Sequence, residues 1–269
     1  MGLAHTSRVP VERPEFPAAR TPRTRVAAVA DLHFGRHPPE FYGPLFAAAN
    51  EADVLVVCGD LTDHGRLDQA QGLARLITQQ ARVPIVAVLG NHDFENGQVV
   101  AVRDTLAEAG VRVLDGESVT IAGVGFAGVK GFCGGFGPRA LGPWGEPIIK
   151  AFVQETLAEA LKLETALSRL RSTPRIALLH YSPVASTVAG EPEEIYPFLG
   201  SSRLEEPLIR LGVAAVFHGH AHHGRLHGQT AQGAPVFNVS LPLLQRHDRG
   251  RFVHRLDVER ADAPRRAEG

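Results

Sequence analysis

Cysteine, methionine and tryptophan are scarce: two Cys, one Met and one Trp in 269 residues. Two thiols, Cys58 and Cys133, make no disulfide framework, so stability has to come from a buried core. Reduced thiols in the cytoplasm are the simplest expectation. Charge of one sign is also lacking. Lys and Arg total 28 against 29 Asp and Glu, a net charge of −1, so no global basic field calls for nucleic acid or an anionic membrane surface. No apolar run approaches the roughly 20 residues of a membrane span. The opening residues lack the basic and apolar pattern of a secretory signal.

What is present suits a globular domain. Apolar residues make up 44% and charged residues 21%, enough for a core of ordinary size. Residues 1–24 are rich in Pro, Arg and Thr without periodicity and are expected to form a flexible arm, with a tail over 261–269. With no internal repeat and no linker between them, residues 25–260 read as one domain. Strands are expected over 25–30, 54–58, 85–89, 176–179, 213–217, 235–239 and 251–258. Between them, helical spacing appears over 40–50, 67–80, 99–109, 148–171 and 204–211. In the longest helix Val153, Leu157, Ala160, Leu163, Leu167 and Leu170 recur at helical steps and should face the core. Residues 111–129 alternate in short Gly-broken stretches that suit antiparallel or edge strands. Residues 131–147, with Phe132, Phe136 and Trp144, and residues 184–202 read as loops, either lining a pocket or covering the sheet. Residues 241–248 read as irregular.

The organising stretch is D-V-L-V-V-C-G-D-L-T-D, residues 53–63. Its apolar run reads as a buried strand of a mostly parallel sheet, and Gly59 lets the chain turn. Asp60 then sits at the strand's carboxyl end, where open α/β sheets bind ligands. By itself such an Asp could equally cap the next helix. Four other apolar runs end the same way: in Asp31 and His33, in Asn91 and His92, in His180, and in His220 and His222. Five strand ends can deliver these side chains to one cleft. Carboxylate, carboxamide and imidazole together suit Mn, Fe, Zn or Co and not a thiolate site. There are too many candidates for one tetrahedral centre, and a carboxylate such as Asp60 can bridge, so two divalent ions are expected.

The series Asp31-x-His33, Gly59-Asp60-x-x-Asp63, Gly90-Asn91-His92-Asp93, His180 and Gly219-His220-x-His222 resembles the calcineurin-like metallophosphoesterase superfamily over residues 25–258. The resemblance implies an α/β fold, a four-layer α/β/β/α sandwich with two mixed β-sheets, and a dinuclear metal centre. It implies that Asp31, His33 and His222 hold one metal and that Asn91, His180 and His220 hold the other. Asp60 would bridge, and His92 would stand beside the metals with Asp63 orienting it. Two ions bring +4; Asp31, Asp60 and a bridging hydroxide leave the centre near +1, a surplus that attracts a phosphate ester. His92 is then expected to act as general acid, or else to bind the phosphate.

One departure bears on substrate. Members acting on phosphoserine proteins usually continue G-D-x-x-D with Arg-Gly, whereas His64-Gly65 follows here. Without that fork for a dianionic monoester, a phosphodiesterase is expected ahead of a phosphatase or nucleotidase, with Arg66 a partial substitute. A non-catalytic scaffold of the same fold would show broken ligand positions, and none is broken. A nuclease would need a basic track, and the flanking loops supply none. The expected substrate is a small-molecule phosphate ester contacting Asn91, His92 and His64, with no nucleic-acid or membrane partner. Oligomeric state is not read from the sequence.

Overall fold

A computed structural model describes residues 22–171 and 174–260. Chain order starts with β1 (Arg23–Val29), α1 (Gly43–Ala49), β2 (Val54–Cys58), α2 (Leu67–Gln80), β3 (Ile85–Val88), α3 (Asn91–Phe94), α4 (Val99–Glu108) and β4 (Val111–Val113). It continues through β5 (Glu117–Ile121), β6 (Val124–Gly128), α5 (Pro147–Arg169), β7 (Arg175–Leu178), α6 (Ala185–Val188), α7 (Tyr196–Leu199) and α8 (Glu205–Leu211). The described chain closes with β8 (Ala215–His218), β9 (His227–Gln229), β10 (Pro235–Asn238), α9 (Leu241–His247) and β11 (His254–Glu259).

The strands form two mixed sheets, ordered β11-β1-β2-β3-β4 and β5-β6-β7-β8-β10-β9. The strand ends read as one parallel edge therefore divide between two sheets. Period-2 side-chain alternation builds the layers. Val26, Ala28, Val54 and Val56 of the first sheet meet Phe126, Ile176, Leu178 and Phe217 of the second in a buried layer between the sheets. Ala27, Val29, Leu55 and Val57 point outward and are covered by α1, α2 and α4. Ala127, Ala177 and Val216 are covered by α5 and α8. Strands buried on both faces read as continuous apolar runs, which is why β2 is apolar throughout.

Several expectations shift. β1 starts at Arg23, inside the expected arm, because residues 23–28 pair antiparallel with β11; the Arg23–Glu259 ion pair closes that end at 2.8 Å. Residues 1–21 of the arm and the tail over 261–269 lie outside the described residues. Residues 241–248, expected to be irregular, contain α9: Pro242 suits its first turn, and Leu241, Leu243 and Leu244 are buried. β6 is interior, antiparallel to β5 but parallel to β7. β9 was missed because three residues on an edge carry no apolar alternation. Residues 184–202 contain α6 and α7 rather than plain loop. On α5, Leu157 is 37% exposed, while Thr156 and Glu159 are buried. These two face the Gly-rich 131–147 segment, whose backbone needs partners: Thr156 Oγ1 donates to the Cys133 carbonyl at 2.6 Å and the Gly131 amide donates to Glu159 at 2.7 Å. Among the described residues no helix is long and apolar enough to cross a membrane.

His254 is a buried imidazole on β11, with its ring 4.4 Å from that of Phe237. Arg251 donates to its Nδ1 at 2.8 Å and Nε2 has no partner. Burial, followed by the Arg251 and His227 charges, lowers its pKa to about 4. The unfolded chain, titrating near 6.5, binds the extra proton first, so stability falls as pH falls from about 6.5 to about 4. The slope is up to about 1.4 kcal/mol per pH unit. Urea midpoints at pH 7 and pH 5 should show this loss, and His254→Phe should reduce it, the remainder coming from other buried imidazoles such as His218, lowered by burial to about 4; an unchanged slope in the variant would contradict the assignment.

Candidate active site

The turns after β1, β2, β3, β7 and β8 meet along one seam between the sheets. The Asp31 amide donates to the Gly59 carbonyl at 3.0 Å, and that of His33 donates to the Asp60 carbonyl at 3.0 Å. Across the seam the Ala30 amide donates to Val239 and the Leu241 amide donates to Ala30; within the second sheet the Gly219 amide donates to the His180 carbonyl. Tyr42, fully buried, donates its hydroxyl to the Leu32 carbonyl at 3.0 Å and holds the Asp31–His33 turn from below.

These turns are backbone-strained at the residues of interest. Asp31, His33, Asp60 and His220 have φ of 58°, 44°, 50° and 70°, a region that costs a residue with a Cβ about 1–2 kcal/mol. The motif glycines also answer a need for space, Gly59 in addition to its φ of 88°. A Cβ on Gly59 would strike the His180 ring, one on Gly90 would strike Asp60, and one on Gly219 would strike the Asp31 carboxylate. The conformation follows from the crowding of side chains into one place.

Four groups of ligand-type atoms result among the described residues, with every atom in a group within 4.8 Å of the others: Asp31, His33 and His222; Asp60, His180 and His220; His33, Asp60 and His92; and, at the exposed rim, His64, His92 and Glu95. The first two are the groups the expected ligands form. In the first, His222 Nε2 is 3.1 Å from Asp31 Oδ1. In the second, His180 Nε2 is 3.4 Å from Asp60 Oδ1 and 2.9 Å from Asn91 Oδ1. Asp60 stands between the groups, with Oδ1 toward His180 and Oδ2 3.9 Å from His33 Nε2. All seven residues expected to bind metal are thus brought together.

Backbone carbonyls decide the imidazole tautomers. A carbonyl only accepts, so the nitrogen facing it carries the hydrogen. His180 Nδ1 donates to Cys58 at 3.1 Å and His220 Nε2 donates to Phe198 at 3.1 Å. Their opposite nitrogens therefore present lone pairs, as metal-binding imidazoles need. His33 is the sharpest case: it is buried, its Nδ1 faces the Asp63 carboxylate at 3.3 Å without hydrogen-bond geometry, and its Nε2 has no hydrogen-bond partner among the described residues. Buried polar atoms are nearly always satisfied, and a cation at His33 Nε2 would satisfy this one. The donor set fits divalent metal.

The electrostatics agree. Burial, then the charges of Asp31 and Asp93, hold Asp60 well above the usual carboxylate range. Asp31 is also buried, yet His222, His180 and His33 outweigh that cost and hold it below the usual range. Burial, reinforced by His220, drives His180 well down, and burial lowers His33 to about 4. His222 is the exception: despite its burial, Asp31 raises it. The imidazoles around Asp60 resist protonation, so the positive charge Asp60 needs has to come from elsewhere.

Around this cluster some expected contacts change. Asp63 meets His92 through its backbone carbonyl, 2.6 Å from Nδ1, and not through its carboxylate. The carboxylate instead faces His33 Nδ1 at 3.3 Å, Arg36 at 2.7 Å and His64 at 3.3 Å. His64 is exposed at the rim, between Asp63 and Glu95. Arg66 is forked onto Asp68, so it supplies no clamp, and Arg36 is the guanidinium beside the cluster. Trp144 is 63% exposed and Phe136 packs with Val188 and Leu199. Of the loop aromatics only Phe132 approaches the site, its ring 5.9 Å from Tyr181.

Sequence reasoning assigned no role to Asp93, whose carboxylate accepts from the amides of Leu61, Thr62 and Gly90 and the hydroxyl of Thr62, at 2.7–3.2 Å. It ties the β2 turn to the β3 turn and so sets Asp60 against Asn91. The final Asp of G-N-H-D was the available signal. Arg36 carried none beyond its place three residues after His33.

Residues 24–224 match the family model for calcineurin-like phosphoesterase. Among solved structures, the chain resembles a phosphopantetheinyl hydrolase from Mycobacterium tuberculosis. The TM-score is 0.65 at 18% identity, over 92% of this chain and 99% of that one. It also resembles the protein TT1561 of Thermus thermophilus, with TM-score 0.52 at 16% identity, over 83% and 92%. At these identities the likeness is one of fold. No curated protein matches the chain.

Gly90→Ala should fold with unchanged far-UV circular dichroism yet hold less than half the wild-type metal after Mn²⁺ loading and desalting. Gly43→Ala is the control, since its Cβ would come no nearer to any atom than the 4.0 Å of Gln80 Oε1. Full metal content in Gly90→Ala would refute the crowding argument.

Proposed function

The chain belongs to the calcineurin-like phosphoesterase family and is a metal-dependent phosphoester hydrolase; from that premise we propose a dinuclear centre that favours phosphodiesters. Asp31, His33 and His222 would hold one ion, and Asn91, His180 and His220 the other, with Asp60 between. The observation that carries this reading is Asp60 with one oxygen toward each group, beside a buried His33 whose Nε2 has no hydrogen-bond partner among the described residues. Bound there, two divalent ions supply Lewis-acid polarisation of phosphoryl oxygens and a hydroxide nucleophile near neutral pH.

The chain's own groups do the rest. His92 is held by Nδ1–H donating to the Asp63 carbonyl, which leaves Nε2 to carry the proton that passes to the departing alkoxide. Its ring stands edge-on to that of His33 at 4.6 Å, and the Glu95 carboxylate is 3.4 Å from Nδ1, placed to steady the protonated ring. Asn91 and His64 border the position of the phosphoryl oxygens. A diester carries one negative charge and needs no fork, in keeping with Arg66 being bound to Asp68. One observation favours a phosphomonoesterase as second reading: Arg36 stands beside the site, 46% exposed at its side chain, and could swing to a dianion. Two free, buried cysteines accord with a cytoplasmic protein acting on a small-molecule ester.

Matched 4-nitrophenyl phosphate mono- and diesters, assayed with Mn²⁺, should show the diester preferred in kcat/KM. A strong monoester preference would select the second reading, and less than about one metal per chain would select an inert scaffold. His92→Ala should keep its metals and lose about 10²–10⁴-fold with poor leaving groups, but far less with 4-nitrophenoxide. Equal losses for both would reduce His92 to a phosphate contact.

A further inference from the structure

A depression of about 220 Å³ opens beside α3, the short helix that carries His92. Leu89, Phe94, Val100, Val113 and Leu114 give it an apolar wall, and Lys130 closes one side. Phe94 and Val100 are 41% and 59% exposed, so much of the wall meets water in the free protein. The proposed chemistry uses none of these residues.

Lys130 connects the depression to the active site. Its Nζ lies 5.5 Å from the centre of the Phe94 ring, 4.7 Å from that of Phe132 and 5.3 Å from that of Tyr181. The Tyr181 ring is in turn 4.5 Å from the His220 ring. The Lys130 carbonyl accepts the amides of His180 and Tyr181, so its backbone, and not its side chain, is tied to the turn after β7. Its ammonium donates to the Gly131 carbonyl at 2.8 Å and has hydrogens to spare. Two acids act on it through their charge, Glu159 and Glu155; Glu159 is engaged by Lys162 and the Gly131 amide, and neither carboxylate hydrogen-bonds the ammonium. The other charges lining the depression are matched, Arg103 with Asp104 and Asp115 with Lys162. Lys130 is therefore a largely desolvated cation, clasped by aromatic rings, with capacity for an anion.

We propose that this depression is a substrate subsite, taking an ester group made of a short apolar segment that bears a second anionic group. The segment would lie against Phe94 and Val100, and the anion would meet Lys130. The volume supports a part and not a whole ligand, since pockets that enclose a drug-sized molecule run to roughly 300–1,000 Å³. A lysine presents a compact point charge, so carboxylate and phosphate are both suited. The inference rests on the phosphoester-hydrolase reading and goes beyond it in naming the substrate's shape.

The test uses 4-nitrophenyl alkyl phosphates and the matching alkyl phosphates, with ethyl, hexyl and 5-carboxypentyl groups, on the Mn²⁺-loaded protein. In the series that turns over, hexyl should exceed ethyl by about tenfold in kcat/KM, which burial of about two added methylenes suffices to give. The carboxylate should add about tenfold more. Val100→Asp, at an exposed position in the first turn of α4 where an acid suits the helix dipole, should abolish the hexyl advantage and spare the ethyl ester. Lys130→Met should remove only the carboxylate increment. A flat series in an enzyme that hydrolyses the ethyl ester would overturn the subsite and leave the hydrolase intact. Turnover of no ester would count against the hydrolase, and calorimetry would then judge the pocket. Tighter binding of 5-carboxypentyl phosphate than of ethyl phosphate, lost in Val100→Asp, supports the subsite; equal binding overturns it.

Discussion

Two carboxylates, Asp31 and Asp60, are 2% and 1% exposed at the seam between the sheets, and the surrounding structure is arranged around that fact. Buried like charges cannot both ionise without compensation. Three imidazoles hold Asp31 charged, while Asp60 is pushed toward its neutral form. The neighbouring His33 and His180 resist becoming cations themselves. His222, raised by Asp31 despite its burial, serves Asp31 alone, so Asp60 is stable as a carboxylate only with positive charge from outside, which is the physical content of a metal site.

Holding that arrangement takes rigidity from several directions. The apolar layer between the sheets fixes where the strand ends emerge, and the bonds from the Ala30 amide to Val239 and from the Leu241 amide to Ala30 stitch one sheet to the other. Asp93 gathers four donors from the two turns beside Asp60. Backbone carbonyls of Cys58, Asp63 and Phe198 each claim one imidazole nitrogen and leave the other free. α7, which carries Phe198, is itself held by the Gly-rich 131–147 segment, since Gly134 donates to Pro197 and Gly135 to Gly200. That segment therefore serves His220 through the backbone, while Trp144 remains at the surface.

Much of this was legible from particular residues. Apolar runs ending in Asp, Asn or His marked the metal-type side chains, because a strand's last residue and its turn are contiguous in sequence. Leu67–Gln80 matched its helix end to end, since its periodicity and length leave little choice. What was missed depends on contacts distant in the chain. The burial of Thr156 and Glu159 answers backbone groups of another segment, and the bond of Arg66 to Asp68 was one of several open to it. The route from Asp63 to His92 runs through a carbonyl, and every residue has one.

By itself, the order of residue types determined that this chain builds a metal-type cluster at strand ends, because ligand chemistry and strand periodicity are local properties. The family followed from the same motifs. Only the tertiary structure decided that the contributing strands come from two sheets, that Arg36 and not Arg66 stands beside Asp63, and that Lys130 sits among three rings next to an open apolar depression. Those outcomes depend on which side chains are nearest in space, and that is set by how the sheets pack and not by spacing along the chain.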